Sequence, residues 1–286
     1  DPVTDLRRFE GCTLVMTAWG DGDSFRVRFP GSNAERTLRL SGVDCFETSE
    51  GSASDRRRLR SQRAHFGLSQ AGGSERASIE RAKALGERAG SLVEQILREP
   101  FTVDTAWIDG RGDPRFQRYY GFVTAANGRD LGEMLVEVGL ARALGVVRAR
   151  SAAVSRDEYR ERLKDRELAA ASQRTGSWAF TDWSSLPEER RVARAEDEAD
   201  RGEGGDPLGP NSINPNTASR DELMRLPGIG EVKALRIIEL RQEKPFRGAE
   251  DLRRVSGIGE STLEQFRAFL TFGSARVKPE PASLKK

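Results

Sequence analysis

Period-two alternation runs from residue 12 to about residue 43. In SFRVRF (24–29), Phe25, Val27 and Phe29 fall on one side and Ser24, Arg26 and Arg28 on the other, the pattern of a strand with one buried face. CTLVMTAW (12–19) and RTLRLSGV (36–43) read as its neighbours, with turns at 20–22 and 30–33. After a polar stretch at 51–75, rich in Arg, Ser and Gly, the period becomes helical, and Leu85, Ala89, Leu92, Val93 and Ile96 form one apolar stripe that Pro100 ends. FTVDTAWI (101–108) and RYYGFVTA (118–125) predict two more strands around the polar hairpin DGRGDPRFQ. Helices are predicted in DLGEMLVEVGLARAL and across SRDEYRERLKDRELAAASQ, ending near Gly176 and Trp178.

Three strands, a helix, two strands and further helices predict an α+β fold with a five-stranded Greek-key β-barrel of the oligonucleotide-binding (OB) type over residues 1–185. Residues 186–212 mix charges with Gly and Pro and read as a linker, although EERRVARAEDEADR within them could extend a solvated helix. ELMRLPGIGE and DLRRVSGIGE form an internal repeat, so residues 213–272 predict a small all-α unit of two stacked helical hairpins. Residues 273–286 read as a disordered tail.

Composition narrows the chemistry. Forty-seven basic residues face 45 acidic ones in 286, a net charge of +2, so any polyanion must be met by local patches rather than a global field. The basic residues are mostly arginine, which suits bidentate phosphate contacts but follows equally from biased base composition. Two cysteines, Cys12 and Cys45, exclude a disulfide-dense scaffold and a four-thiolate zinc site, and we expect free thiols. His65 is the single histidine and reads as a surface or helix-packing residue. No run of 18 apolar residues predicts a membrane span. The chain opens at Asp1, and we expect a secreted or periplasmic protein, a cytoplasmic one remaining open.

SGVDCFET (41–48) sets Asp44 and Glu47 just after a strand, and DGDSF sets Asp21 and Asp23 at the start of another. Taken singly, these acids are ordinary turn and strand-end chemistry. Together with Arg39 and Arg118 they offer what phosphodiester cleavage needs: carboxylates for a hard cation, a base for water, and guanidinium groups for the charge on phosphorus.

DGDSF, RLSGVDCFET, PRFQRYYGFV and GRDLGEMLVEVGLA, in this order, resemble the staphylococcal nuclease (thermonuclease) family over residues 10–180. The resemblance implies calcium held by Asp23, Asp44 and the backbone carbonyl of Cys45, with Asp21 in the shell behind; manganese or magnesium stays open, since all three favour oxygen ligands. It implies Glu47 as the group that orients or deprotonates water, Arg39 and Arg118 as the phosphate clamp, and cleavage of DNA and RNA with little sequence preference. Phe46 stands where the family usually has proline, which removes a constraint on the Glu47 loop. Gly145 and Val147 replace aromatic residues of the family's nucleotide pocket, whereas Arg115 and Phe116 keep its basic and aromatic positions. Arg56, Arg57, Arg58, Arg60 and Arg63 are candidate phosphate contacts, or a solvated helix face. Tyr119, Tyr120 and Trp178 read as core aromatics.

The repeat resembles the paired helix-hairpin-helix modules of competence DNA receptors. That implies duplex DNA held without sequence preference at Gly228, Gly230, Gly257 and Gly259, with Lys233 beside them. Glu260, Ser261 and Thr262 of the second hairpin stand where a lysine would help. We therefore expect an endonuclease tethered to DNA. The alternatives are a DNA-binding or uptake protein with a passive barrel, or a protein-interaction scaffold.

Overall fold

The structure, a computed structural model, describes residues 6–17, 21–31, 34–109, 117–151, 153–203 and 208–272. Two compact units divide the described residues: 6–108 and 118–194 make up the first, and 109, 117 and 195–272 the second.

In the first unit, β1 (Arg7–Val15), β2 (Ser24–Arg28), β3 (Glu35–Leu40), β5 (Phe101–Asp109) and β6 (Arg118–Thr124) form a five-stranded sheet closed in the order β1-β2-β3-β6-β5. Pairing is antiparallel for β1 with β2, β2 with β3 and β1 with β5, and parallel for β3 with β6. Alternation sends Phe25, Val27, Leu38 and Leu40 to the core. The register then does the positioning. Ser24 lies opposite Arg39, and Thr37 opposite Arg118, so Arg39 and Arg118 stand two positions apart on the face turned away from that core.

Two-residue strands β4 (Asp44–Cys45) and β7 (Ala141–Arg142) pair antiparallel and set Asp44 opposite Arg142. The polar stretch after residue 51 contains helix α1 (Ala53–Phe66), started by a Ser52/Asp55 capping box and ended by Gly67 in the left-handed region at φ 68°. Helix α2 (Glu75–Ile96) carries the expected apolar stripe. Helix α3 (Leu131–Glu137) precedes β7, and α4 (Arg156–Ser172) is followed by a 3-10 turn that buries Trp178 against Phe66, centroids 4.8 Å apart. Tyr119 and Tyr120 are buried, Cys12 and Cys45 are buried free thiols, and His65 packs against Phe66.

The charged stretch expected to be linker is helical over Leu186–Glu203 (α5), and the division between the units falls within it. Glu189 near its start is buried, accepting from Ser69 N at 2.9 Å, and Arg190 Nη2 donates to the His65 carbonyl at 2.6 Å. Composition hides these partners, because they lie more than a hundred residues away.

The second unit holds α6 (Arg220–Leu223), α7 (Glu231–Glu243) and α8 (Glu260–Phe266), with a 3-10 turn over Ala249–Arg254. Ile229 and Ile258, the middle residues of the two Gly-Ile-Gly turns, are buried. Gly228 and Gly257 have φ of 72° and 90°, values open mainly to glycine. Among the described residues no helix is long and apolar enough to cross a membrane.

Candidate functional site

Four elements of the first unit bring the sequence-predicted acids and arginines together. Asp23, at the mouth of β2, is buried: Oδ2 accepts from Cys45 N at 2.7 Å, and Oδ1 accepts from Ser24 Oγ at 3.0 Å and forms an ion pair with Arg39 Nη1 at 2.9 Å. Asp44, also buried, accepts at Oδ1 from Arg39 Nη2 at 2.8 Å. One guanidinium thus spans the two carboxylates. Arg39 Nη1 and Arg118 Nη1 both reach Ser24 Oγ at 3.4 Å, so the two arginines converge as their register requires. Asp21 stands beside them with a buried Oδ1 that finds no hydrogen-bond partner.

Electrostatics follow from crowding. Burial, only partly offset by Arg39, pushes the Asp23 carboxyl up to about 7, and Asp21 and Asp44 push it the same way. Burial likewise raises Asp21. Burial weakens the Arg39 guanidinium as a base, but Asp23 and Asp44 more than reverse this. Glu47 is also raised by burial, against the pull of Arg58, whose Nε meets Oε1 at 2.6 Å.

Sequence reasoning missed two members. Gln62, fully buried on α1, donates from Nε2 to Asp44 Oδ2 at 2.9 Å and to the Cys45 carbonyl at 2.7 Å, while its Oε1 accepts from Glu47 N at 3.0 Å. Arg142, buried on β7, donates from Nε to Asp44 Oδ2 at 2.8 Å. The only sequence signal for Arg142 is its place in GRDLGEMLVEVGLAR; Gln62, inside a polar run, gives none. Two arginines of that run have partners within the chain: Arg58 pairs with Glu47 and Asp55, and Arg63 is buried against Ser78 Oγ. Arg115 and Phe116 lie outside the described residues.

The donor set is all oxygen, the chemistry of a hard divalent cation. As arranged it does not fit one. Both oxygens of Asp23, both of Asp44 and the Cys45 carbonyl already accept from donors of the chain. Among the described residues no three acidic, histidine or cysteine side chains gather so as to hold a metal ion.

In the second unit Lys233 Nζ donates to the Gly228 carbonyl at 2.8 Å, and a side chain at Gly257 would meet Lys233 Cε at 3.2 Å. The lysine therefore lies between the two turns. Gly230 and Gly259 cap α7 and α8 with extended backbone. Glu260 pairs with Arg253 at 3.2 Å and Arg267 at 3.4 Å, so the second turn carries neutralised charge.

Residues 210–271 match the family of the helix-hairpin-helix motif. ComE operon protein 1 of Bacillus subtilis (strain 168) is 42% identical over 60 residues, 21% of this chain and 29% of that protein. Endonuclease/exonuclease/phosphatase family domain-containing protein 1 of Homo sapiens is 38% identical over 77 residues, 26% of this chain and 14% of that protein. The Xenopus laevis counterpart is 39% identical over the same length. The chain covers less than a third of each relative.

Proposed function

We propose that this chain is a sequence-nonspecific nucleic-acid phosphodiesterase, with an OB-type barrel of the thermonuclease kind as its cutting unit and the hairpin pair as its DNA anchor. The observation that carries the reading is the convergence of Arg39 and Arg118 on Ser24 beside Asp23 and Asp44. Two guanidinium groups at one spot can clamp a phosphate and take up the charge that grows on its oxygens during attack. Glu47 is the candidate base: burial raises it, which strengthens its hold on a proton from water, and Arg58 fixes one of its oxygens. Calcium is the cofactor implied by the family resemblance, and manganese or magnesium would suit the same oxygens; Asp23, Asp44 and the Cys45 carbonyl would hold it, and each now accepts from a donor of the chain.

For the anchor, support comes from the helix-hairpin-helix match at 210–271 and from Lys233 beside two glycine turns. Backbone N–H groups at such turns can meet phosphates without reading bases.

Plasmid digestion tests the reading. Glu47→Gln and Arg118→Ala should each slow cleavage by about a hundredfold or more, the usual cost of one charge-stabilising or proton-transfer group. Cleavage at the parent rate in both variants removes the assignment. One observation favours a second reading, a DNA-binding protein with a passive barrel. The network of Asp44, Arg142 and Gln62 is satisfied without any ligand, and on this reading no preparation cleaves.

A further inference from the structure

We propose that helix α1 seals the acid cluster against divalent cations, with the Gln62 carboxamide seated on the two oxygens, Asp44 Oδ2 and the Cys45 carbonyl, that a cation there would share. The chain supplies its own counter-charge and donors there, and a cation can share those two oxygens only with the Gln62 carboxamide displaced.

Geometry carries the inference. Nε2 of Gln62 lies 2.9 Å from one oxygen and 2.7 Å from the other. A calcium ion bound to the same pair would stand about 2.3–2.6 Å from each, so the amide nitrogen and the ion exclude one another. The amide cannot be turned around. Reversal would set Oε1 against a carboxylate and a carbonyl oxygen, and would aim the NH2 at the Glu47 N–H that Oε1 now accepts from. Charge is met elsewhere: Arg39 spans Asp23 and Asp44, Arg142 takes Asp44 Oδ2, and Arg58 takes Glu47.

The seal is built in and is no loose lid. Arg142 Nη1 reaches Ser61 Oγ at 3.1 Å, His65 pairs with Glu167 at 2.9 Å, and Thr181 Oγ1 donates to the Phe66 carbonyl at 2.8 Å. With the helix held along its C-terminal half, opening falls to the Gln62 side chain alone.

The inference rests on the reading of this cluster as the working site, and the two are tested apart on the full chain. Calcium binding is measured by calorimetry and by its effect on Tm for the parent, Gln62→Ala and Gln62→Glu. Gln62→Glu keeps the shape but places a carboxylate oxygen against two others, so its fold should gain stability from calcium. Both variants should bind calcium at least about tenfold more tightly than the parent, and adding Asp44→Asn to Gln62→Glu should abolish the gain. Parent affinity equal to that of Gln62→Glu, weaker binding by Gln62→Ala in a folded sample, or no calcium binding by any variant overturns the seal. Cleavage is followed in the same samples. DNA cut by a chain whose calcium affinity ignores residue 62 leaves the phosphodiesterase standing without the seal. The affinity gain without cleavage in any sample leaves the seal without the phosphodiesterase.

Discussion

Glu167 shows how much one oxygen can organise. Its Oε1 meets His65 Nε2 at 2.9 Å and accepts from Ala143 N at 3.1 Å, tying α4 to α1 and to the segment after β7. Burial would raise this carboxyl, but the hydrogen bond and charge of His65 outweigh it and hold the group below the ordinary glutamate range. A carboxylate so depressed contributes stability above its unfolded value and loses it as pH falls through the folded one. Thermal unfolding against pH should therefore decline less steeply on the acid side in Glu167→Gln than in the parent. Parallel acid limbs for the two proteins would show that the pair does not anchor α1. Phe46 makes a complementary case. Where proline would have stiffened the Glu47 loop by its ring, the phenylalanine is buried with its ring 5.1 Å from that of Phe66, and Gln62 bonds the residues on either side of it.

At the scale of elements, α2 presses its backbone onto the site loops. A Cβ at Gly86 would lie 2.5 Å from the Phe46 carbonyl oxygen, and one at Gly22 would lie 2.6 Å from Ala89 Cβ. Gly86→Ala gains helix propensity of about 1 kcal/mol. The overlap with a backbone atom cannot be relieved by a rotamer change, and overpacking of this kind costs about 1–3 kcal/mol. The cost should win, and the urea midpoint should fall; an unchanged or higher midpoint would mean that the loop yields freely. The same elements separate what the sequence reveals from what it hides. Strands β2 and β3 and helix α2 are legible because each has one apolar face of fixed period, whereas β6 is legible as a short apolar run buried on both faces, Tyr119 to Val123. Helix α1 is not, because its buried side includes Gln62 and Arg63 beside Leu59, Ala64 and Phe66. Their partners, Asp44 and Ser78 among them, lie on other segments. At the cluster, residue types and strand order bring Asp23, Arg39, Asp44 and Arg118 into view. The donors that fill their oxygens arise from tertiary pairing, which no local period encodes.

Across the whole molecule, a net charge of +2 provides no long-range pull on a polyanion, so duplex affinity has to come from local phosphate contacts. On the proposed reading those contacts belong to the second unit, and the chain connection keeps DNA concentrated near the first. A chain ended at residue 207 keeps the first unit through Arg194. It should bind duplex DNA more weakly than the full chain. Its plot of log affinity against log salt should also be shallower by about one for each phosphate that the shortened chain no longer neutralises. Its rate on short single strands should hold, because Arg39, Glu47 and Arg118 all remain. In the full chain Lys233→Glu should move duplex binding the same way by a smaller step, since the lysine bridges toward both glycine turns. Equal duplex affinity and salt slope for the truncated and full chains would show that the hairpin pair is not the anchor. A single-strand rate that fell with the truncation would assign the second unit a part in cleavage, beyond holding the substrate.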